Sequence, residues 1–227
     1  MSVAELSSST QDYLKVIWGL QEWSDAPVTT SVIAERMQLR PSTVSDAIRR
    51  LTEQGMVEHA RYGSVTLTPS GRSHALAMVR RHRLIETFLV QVLGYTWDEV
   101  HHEAEQLEHA VSDLMIERID ALLGHPTRDP HGDPIPSVEG TPHRPDAVPL
   151  ATVPPRTHVR VERISDSDSD RLRYFAGQGI TLDTDLDILE ADPYSDGVLV
   201  RVTGRPQPVN LGAAASNAIW VSTTDHG

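Results

Sequence analysis

The residues best suited to chemistry lie in one short stretch that is predicted to be helical, His101 to His109. Glu105, Glu108 and His109 are spaced i, i+3 and i+4, and His101 lies one turn before Glu105. At about 100° per residue, all four share one helix face. Grouping carboxylates and imidazoles closely costs free energy unless a positive charge lies between them. A divalent metal ion would supply that charge. The alternative is a solvated acidic face that happens to carry histidines.

Length and composition limit the classes of protein to consider. The 227 residues, 39% of them hydrophobic, suffice for one large or two small domains with a real core. The absence of cysteine excludes disulfides and thiolate zinc sites, so any metal must be held by oxygen and nitrogen. The sequence has neither a run of about 18 apolar residues nor a secretory leader pattern. We therefore expect a cytoplasmic protein with no membrane partner.

The negative charge is unevenly distributed along the chain. The net charge is -12, but residues 1–90 hold ten basic and nine acidic residues, which gives +1. Residues 91–227 hold ten basic and twenty-three acidic residues, which gives -13. The first part is therefore the candidate for binding a polyanion, and the second part could hold cations.

The first part of the chain has the pattern of a winged helix-turn-helix. Apolar spacing and breakers predict helices over 9–22 and 29–37 and a third helix from Ser42 that is closed at Gly55. Short strands at Val57–Ala60 and Ser64–Thr68, joined through Tyr62 and Gly63, would form the wing. Helices two and three would be the DNA-reading unit. The alternative is a helical bundle with an incidental hairpin.

Further helices are predicted between Thr68 and Gly124. Thr68-Pro69 begins a long helix that runs to about Leu93, and Thr96 with Glu99 forms a capping box before the histidine-rich helix. Another helix covers about 112–123. The apolar residues of these helices exceed what one small layer needs, so a face shared between two copies is expected. Packing within one chain is the alternative. The apolar residues concerned include Leu84, Ile85, Phe88, Leu89, Val92, Leu107, Val111, Leu114, Ile116 and Ile119.

Composition changes after Gly124. Most of the 15 prolines lie between Pro126 and Pro155, which predicts an extended linker, ordered at most where it lies on the preceding helices. From Thr157 onward, short β-rich pieces predict a small antiparallel barrel. Residues 165–170 are predicted to be a mobile acidic loop or the start of a helix. The predicted strands are His158–Ile164, Gly179–Leu182, Asp187–Ala191, Val198–Val202 and Ala218–Val221.

Several stretches, in this order and spacing, resemble a known family: Thr10–Leu14, Arg80–Leu84, Val100–His109 with Ser112-Asp113, and Asp129–Pro136. The chain resembles the diphtheria-toxin-repressor family of metal-dependent transcription regulators, and within it the manganese transport regulator branch. The resemblance implies a homodimer that binds palindromic operator DNA and represses metal-uptake genes. The implied fold is mainly α, with a winged helix-turn-helix, a helical dimerisation domain and a C-terminal SH3-like (FeoA-like) β-barrel. The corresponding segments are 1–74, 75–143, a linker at 144–156, and 157–227.

The resemblance also implies two metal sites. The ligands of the first map onto Asp12, Glu105, Glu108 and His109. Those of the second map onto His82, Glu86 and His101, and the terminal domain lends further ligands, for which Asp168 and Asp170 are the candidates.

Two positions in the first implied site favour manganese. In the iron-responding branch, the positions that resemble Glu105 and Asp12 carry Cys and Met, whereas both are carboxylates here. Hard oxygen ligands suit Mn(II), with Fe(II), Co(II) or Zn(II) as surrogates. Lys15 stands where manganese regulators without a terminal domain carry a second acidic ligand, which favours two separated sites over a closely bridged pair. An iron(II)-dependent repressor of the same family is the alternative.

The third predicted helix offers groups for reading DNA. Short hydroxyls and a methyl group near its start can contact base edges or phosphates, and arginines can hold phosphates. The alternative for the arginines is ordinary solvated charge. The candidate residues are Thr30, Arg40, Ser42, Thr43, Ser45, Asp46 and Arg50, with Arg49 as a further phosphate contact.

An enzyme is the main rival from another class. The stretch from Glu105 to His109 superficially resembles a catalytic metal motif, but an inverted zinc-peptidase motif requires His at its first position. A di-iron bundle needs Glu-x-x-His on two helices, and only one helix carries anything comparable. We therefore expect no catalytic residues. A winged-helix regulator in which the metal residues are relics is a further alternative.

Overall fold

The computed structural model describes residues 3–60, 63–140, 144–192 and 196–223. The described parts of residues 1–82, 106–119 and 136–142 form one compact unit, and those of 83–105, 120–135 and 143–227 form a second. The predicted wing residue Tyr62, and His143 of the proline-rich segment, lie outside the described residues.

The first unit has the predicted order of three helices, a hairpin and a long helix. Ser7 and Thr29 cap the first two helices, because their hydroxyls accept hydrogen bonds from the backbone N–H groups of Thr10 and Val32. The two short strands pair antiparallel, with Val57 opposite Leu67. The elements are α1 (Ser8–Glu22), α2 (Thr30–Met37), α3 (Pro41–Glu53), β1 (Val57–His59), β2 (Val65–Leu67) and α4 (Pro69–Gln91).

Helix α3 shows the separation of faces that its sequence predicts. Val44, Ala47, Ile48 and Leu51 are buried in the core of the first unit. The residues between them are exposed. Burying one apolar stripe fixes the rotation of the helix and leaves its polar face to solvent.

The histidine-rich helix ends earlier than its spacing predicts. Helix α5 covers Val100–Leu107, and α6 covers Asp113–Leu122. The capping-box bond is present, because the N–H of Thr96 donates to Glu99 Oε2 at 3.2 Å. Glu108 and His109 lie in the turn that follows α5, so the expectation that they continue one straight helix stripe was wrong.

The second unit contains an antiparallel sheet of six strands in the order β3-β8-β4-β5-β6-β7. Its inner face, with Leu172 and Phe175 of α7, forms a hydrophobic core. The predicted strand at 179–182 is absent from the described residues, because Gly179 adopts the left-handed conformation that ends α7. The elements are β3 (Val148–Pro149), β4 (His158–Ile164), α7 (Ser169–Gln178), β5 (Asp185–Ile188), β6 (Val198–Val202), β7 (Val209–Leu211), α8 (Ala213–Ser216) and β8 (Ile219–Thr223).

The proline-rich segment is more ordered than an extended linker. Residues 131–136 are buried, and Arg128 pairs with Pro134 in an isolated β-bridge. Further along, β3 and the buried Leu150 join the sheet and its core, inside the stretch predicted as linker. Composition misled here, because proline suits a tight buried loop as well as an extended chain.

The apolar residues that suggested a shared face differ in their exposure, and Phe88, Leu107 and Val111 are half-buried. Leu84, Ile85, Leu89, Ile116 and Ile119 are buried within the chain. Val92 and Leu114 remain exposed, and so do three further apolar residues of this region, Leu93, Met115 and Leu122. Among the described residues, no helix combines the length and the hydropathy needed to cross a bilayer.

The close approach of Gly132 to β4 generates a stability prediction. Gly132 has φ +91°, and a Cβ there would lie 2.1 Å from the carbonyl oxygen of Glu162. Gly124 has φ +71°, but a Cβ there would have no neighbour within 4 Å. We expect Gly132→Ala to lower the free energy of unfolding by about 3 kcal/mol and Gly124→Ala by about 1 kcal/mol, as measured by urea denaturation. Equal costs would show that the loop can move away from β4.

Candidate metal centres

The first cluster of metal-ligand side chains lies in the first unit. Asp12 Oδ1 lies 3.0 Å from His109 Nε2, and Glu108 Oε1 lies 3.6 Å from the same nitrogen. One possible ligand atom from each of the three side chains lies within 4.8 Å of the others. Asp12 comes from α1, whereas Glu108 and His109 come from the turn after α5, so the cluster joins segments far apart in sequence.

Buried hydrogen bonds position this turn. The guanidinium of Arg81 donates to the carbonyl oxygens of Glu108 at 3.1 Å and Val111 at 2.9 Å, and it also pairs with Asp113. These bonds satisfy carbonyl groups that would otherwise lack partners after the helix ends. His109 is oriented by a 2.7 Å contact between its Nδ1 and Gln11 Oε1, which leaves Nε2 directed at Asp12.

Charges already neutralise Glu108. Its side chain is 0% exposed, with Lys15 Nζ 2.5 Å from Oε1 and His82 Nδ1 2.5 Å from Oε2. Burial opposes ionisation, but the bonds and charges of His82 and Lys15 outweigh it and lower the pKa of Glu108. The pKa of Asp12 is raised, because burial there outweighs the favourable charges of His109 and Lys15.

Glu105, implied as a ligand of the first site, lies apart from this cluster. Glu105 Oε1 is 3.5 Å from His101 Nε2, and its Oε2 is 3.7 Å from His102 Nδ1. The three-residue cluster therefore forms without Glu105. His82, implied as a ligand of the second site, has its Nδ1 directed at Glu108, and it also offers a possible ligand atom within 4.8 Å of those of Glu86, His101 and Asp166.

The second cluster lies in the second unit and includes Glu86 and His101, as the resemblance implied. His101 Nδ1 is 3.3 Å from Glu86 Oε1 and 3.1 Å from Asp166 Oδ2. Asp166 lies two residues after the end of β4, so the terminal β domain supplies a carboxylate. Burial opposes charge on His101, but hydrogen bonds to Asp166, Glu105 and Glu86 outweigh it and raise its pKa to about 12.

The buried proline-rich loop adds Asp129 and His131 to this cluster. Both lie with Glu86 in a group whose ligand atoms are within 4.8 Å of one another. His131 is 0% exposed, and its Nε2 donates to the carbonyl of Trp97 at 2.7 Å. Its Nδ1 has no hydrogen-bond partner among the described residues and lies 3.9 Å from Glu86 Oε2. The interpretation of this stretch as an extended linker did not predict that His131 would be buried.

The loop backbone fixes these side chains. Asp129 Oδ1 accepts hydrogen bonds from the N–H groups of His131 and Asp133, and the carbonyl of His131 accepts from Ile164 of β4. Burial, with the charges of Asp133 and Glu86, raises the pKa of Asp129 to about 7. Burial and like charges both disfavour the ionised form of this carboxyl group, and burial is the larger cause.

Asp168 and Asp170 have other contacts. Asp168 is the N-cap of α7, where its Oδ1 accepts from the N–H of Arg171 at 3.1 Å. Asp170 pairs with Arg173 in the first turn. Sequence reasoning therefore missed Asp166, which is two residues earlier, along with Asp129 and His131. The quoted stretch Asp129–Pro136 was a signal for the last two, but it was read only as a family match.

The residues present fit a divalent ion at both clusters. Each cluster combines carboxylate oxygens with imidazole nitrogen, a donor set typical of first-row divalent metals. In the second cluster, His131 has the orientation of a metal-ligating histidine. Its ring donates one N–H to a backbone carbonyl and holds the other nitrogen toward carboxylates.

The candidate DNA contacts lie on and around α3. Ser42, Thr43, Ser45 and Asp46 are exposed, as are Arg40 and Arg50. Thr30, the first residue of α2, is half-buried. Within α3, Ser45 donates to the carbonyl of Pro41 at 2.9 Å, and Asp46 lies 3.7 Å from Arg49.

Family models match three successive parts of the chain. The iron dependent repressor N-terminal DNA binding domain matches residues 5–65, and the iron dependent repressor metal binding and dimerisation domain matches 68–137. A FeoA domain matches residues 148–223. The diphtheria toxin repressor of Corynebacterium diphtheriae is 32% identical over 198 residues, which are 83% of this chain and 87% of that protein.

The chain belongs to the diphtheria toxin repressor family. The resemblance inferred from the sequence is therefore confirmed. The family is one of transcriptional repressors and not of enzymes.

The names of other similar proteins specify different metals. The iron-dependent repressor IdeR of Mycobacterium leprae is 38% identical over 143 residues, which are 63% of this chain and 62% of that protein. A solved manganese-dependent transcriptional repressor in complex with manganese is 53% identical, with a TM-score of 0.90. The match covers 95% of this chain and 100% of that chain.

The buried role of Arg81 generates a stability prediction. Arg81→Met would leave the carbonyls of Glu108 and Val111 without their donor and should cost about 3 kcal/mol of unfolding free energy. Arg49→Met, at a side chain that is 70% exposed, should change stability by less than about 0.5 kcal/mol. Urea denaturation of the metal-free chain measures both. Similar small changes in the two variants would mean that water replaces Arg81 at the turn.

Proposed function

We propose that this chain is a manganese(II)-dependent transcriptional repressor that binds palindromic operator DNA as a homodimer and represses metal-uptake genes. The observation that carries the proposal is the cluster of Asp12, Glu108 and His109. Asp12 belongs to the segment matched as DNA-binding, whereas Glu108 and His109 belong to the segment matched as metal-binding. A ligand held by all three would couple metal concentration to the placement of α1.

The proposed mechanism is a population shift. Asp12, Glu108 and His109 would hold the ion, which supplies two positive charges to a group rich in carboxylate oxygen. Engaging all three side chains favours arrangements in which α1 is fixed against the turn after α5. Since α1 packs in the same core as α3, the reading helix is restrained with it. The ion stabilises this arrangement by the difference between its binding free energy for this arrangement and that for the alternatives.

A second centre is proposed in the second unit. Glu86, Asp129, His131 and Asp166 would hold an ion there, with His101 beside them. The proton that now charges His101 partly neutralises the carboxylates, and an ion would take over that role. Because Asp166 belongs to the segment matched as a FeoA domain, this centre would make the terminal domain part of the metal response.

Manganese is favoured over iron by the chemistry of the ligands. Asp12 and Glu108 are hard oxygen donors, the second centre is also rich in carboxylates, and the chain has no cysteine. Mn(II) binds weakly in the divalent series, so a site without soft sulfur ligands removes an advantage of the later metals. The 53% identity to the manganese-dependent repressor supports the same choice. The iron-dependent relatives make Fe(II) the alternative to test.

DNA binding and dimerisation complete the proposal. The exposed hydroxyls of Ser42, Thr43 and Ser45 on α3 are suited to base edges, and Arg40 and Arg50 to phosphates. The exposed Leu114, Met115 and Leu122 would be covered by a second copy. Two identical reading helices would then recognise a site with matching two-fold symmetry.

Metal-dependent DNA binding tests the first centre. Selection from random-sequence duplexes in Mn(II) would yield an operator, and fluorescence anisotropy would then measure its affinity with Mn(II), with anaerobic Fe(II), with Zn(II) and with chelator. We expect tight binding with Mn(II) and at least a hundredfold loss with chelator. His109→Ala should bind no better with Mn(II) than without it, whereas His102→Ala, at an 84% exposed side chain, should behave as wild type.

Three outcomes would contradict parts of this proposal. Binding that chelator does not change would remove the metal switch. A response to Fe(II) at lower concentration than to Mn(II) would assign the chain to iron despite its carboxylates. Retained Mn(II) dependence in His109→Ala would remove the first cluster as the switch.

Two matched aspartate substitutions test the second centre. Asp166→Asn removes a proposed ligand charge, whereas Asp168→Asn keeps an N-cap residue of α7. By equilibrium dialysis with Mn(II), we expect Asp166→Asn to weaken one class of sites at least tenfold and Asp168→Asn to leave every site unchanged. Loss of binding in Asp168→Asn but not in Asp166→Asn would reverse this assignment.

A further inference from the structure

The first cluster contains a cation that belongs to the chain itself. Lys15 is the only lysine in the sequence. Apart from the histidines, every other basic residue is an arginine. Its side chain is 15% exposed, and its Nζ lies 2.5 Å from Oε1 of the fully buried Glu108. An ammonium group is a compact point charge, and it therefore resembles a metal ion more than the planar guanidinium of arginine does.

The position of Lys15 follows from the helix that carries Asp12. The two residues are separated by three on α1, so their side chains share one face. The ammonium also favours the charged form of Asp12. Lys15 thus interacts with two of the three proposed ligands of the first cluster.

We propose that the Lys15 ammonium is an internal competitor that holds Glu108 in the metal-free chain and must be displaced when a divalent ion binds Asp12, Glu108 and His109. This inference rests on the proposed function for the identity of the site, and it adds how the metal threshold is set. Glu108 Oε1 lies 3.6 Å from His109 Nε2 and 2.5 Å from Lys15 Nζ. An ion bound to Oε1 and Nε2 would therefore lie within a few ångströms of the ammonium group of Lys15. Two cations that close repel strongly in a buried site.

The competitor has two opposing effects. Without metal, it stabilises the fold by neutralising a carboxylate that has no access to water. With metal, breaking the Lys15–Glu108 pair opposes binding and raises the concentration of ion that is needed. Because the same pair must break for every divalent ion, Lys15 should set affinity and leave the order of metal preference unchanged.

The single lysine makes displacement directly measurable. The full-length chain would be treated with an amine-acetylating reagent with and without saturating Mn(II), and modification of Lys15 would be followed by mass spectrometry, with the N-terminal amine as the internal reference. We expect acetylation of Lys15 to be at least tenfold faster with Mn(II). An unchanged or slower rate, under conditions where dialysis shows bound Mn(II), would overturn the inference while leaving the proposed function intact.

Two substitutions test the energetic consequence. Lys15→Met keeps an unbranched side chain of nearly the same length without its charge, and Lys15→Arg keeps the charge. We expect Lys15→Met to bind Mn(II) at least tenfold more tightly at the first site, to shift Zn(II) affinity by the same factor, and to unfold at a lower temperature without metal. Lys15→Arg should stay within about threefold of wild type for both metals.

The outcomes separate the inference from the function. Weaker Mn(II) binding in Lys15→Met, with the metal-free fold retained by circular dichroism, would overturn the role of competitor. If Lys15→Met does not fold without metal, the acetylation experiment on the wild-type chain decides alone. An absence of Mn(II) binding to the wild-type chain would overturn both the proposed function and the inference.

Discussion

A fully buried carboxylate, that of Glu108, imposes the constraint on which the first unit depends. A charged group without water requires cations and hydrogen bonds close by. Lys15 of α1 and His82 of α4 supply them at 2.5 Å each, and Arg81 binds the backbone of the same residue. Helix α1, helix α4 and the turn after α5 thus meet at one carboxylate. A change in the partners of that carboxylate therefore alters the contacts of all three segments.

The same principle governs the second unit through a different arrangement. There, the buried charges are shared among Glu86, Asp129 and Asp166, and the neutralising groups are protonated histidine and arginine. Such a group can exist in at least two states of charge, because a proton and a divalent ion can both satisfy it. Burial and the neighbouring carboxylates raise the pKa of Asp129 to about 7, so the charge of this group depends on what surrounds it.

The fold was largely predictable because its signals are local. The apolar stripe of α3, the cap at Thr68 and the strand pattern of β4 each involve residues close in sequence. The errors arose where a distant group decides the outcome. Helix α5 stops at Leu107 because Arg81, 27 residues before Glu108, satisfies the carbonyls of the turn. Proline content could not show that β4 covers the loop at 131–136.

The metal clusters were predictable only as residue types. Spacing placed Glu108 and His109 together, but Asp12 could be added only through the resemblance, since its distance in sequence hides its proximity. Asp166 was missed because three aspartates alternate with serine between 165 and 170, and period alone does not tell a capping residue from a ligand. Helix α7 decides this: it begins at Ser169, which makes Asp168 its cap and leaves Asp166 directed at His101.

Coupling between metal and DNA follows from where the neutralising groups are attached. A cation supplied by the protein, such as Lys15, restrains the chain at all times, whereas a dissociable ion does so only above a certain concentration. Replacing the first by the second at Glu108 changes which segments are held together without altering the buried charge that needs neutralising. A repressor built this way would use one carboxylate both to stabilise its resting fold and to sense the metal, so that stability and sensitivity oppose each other at the same atom.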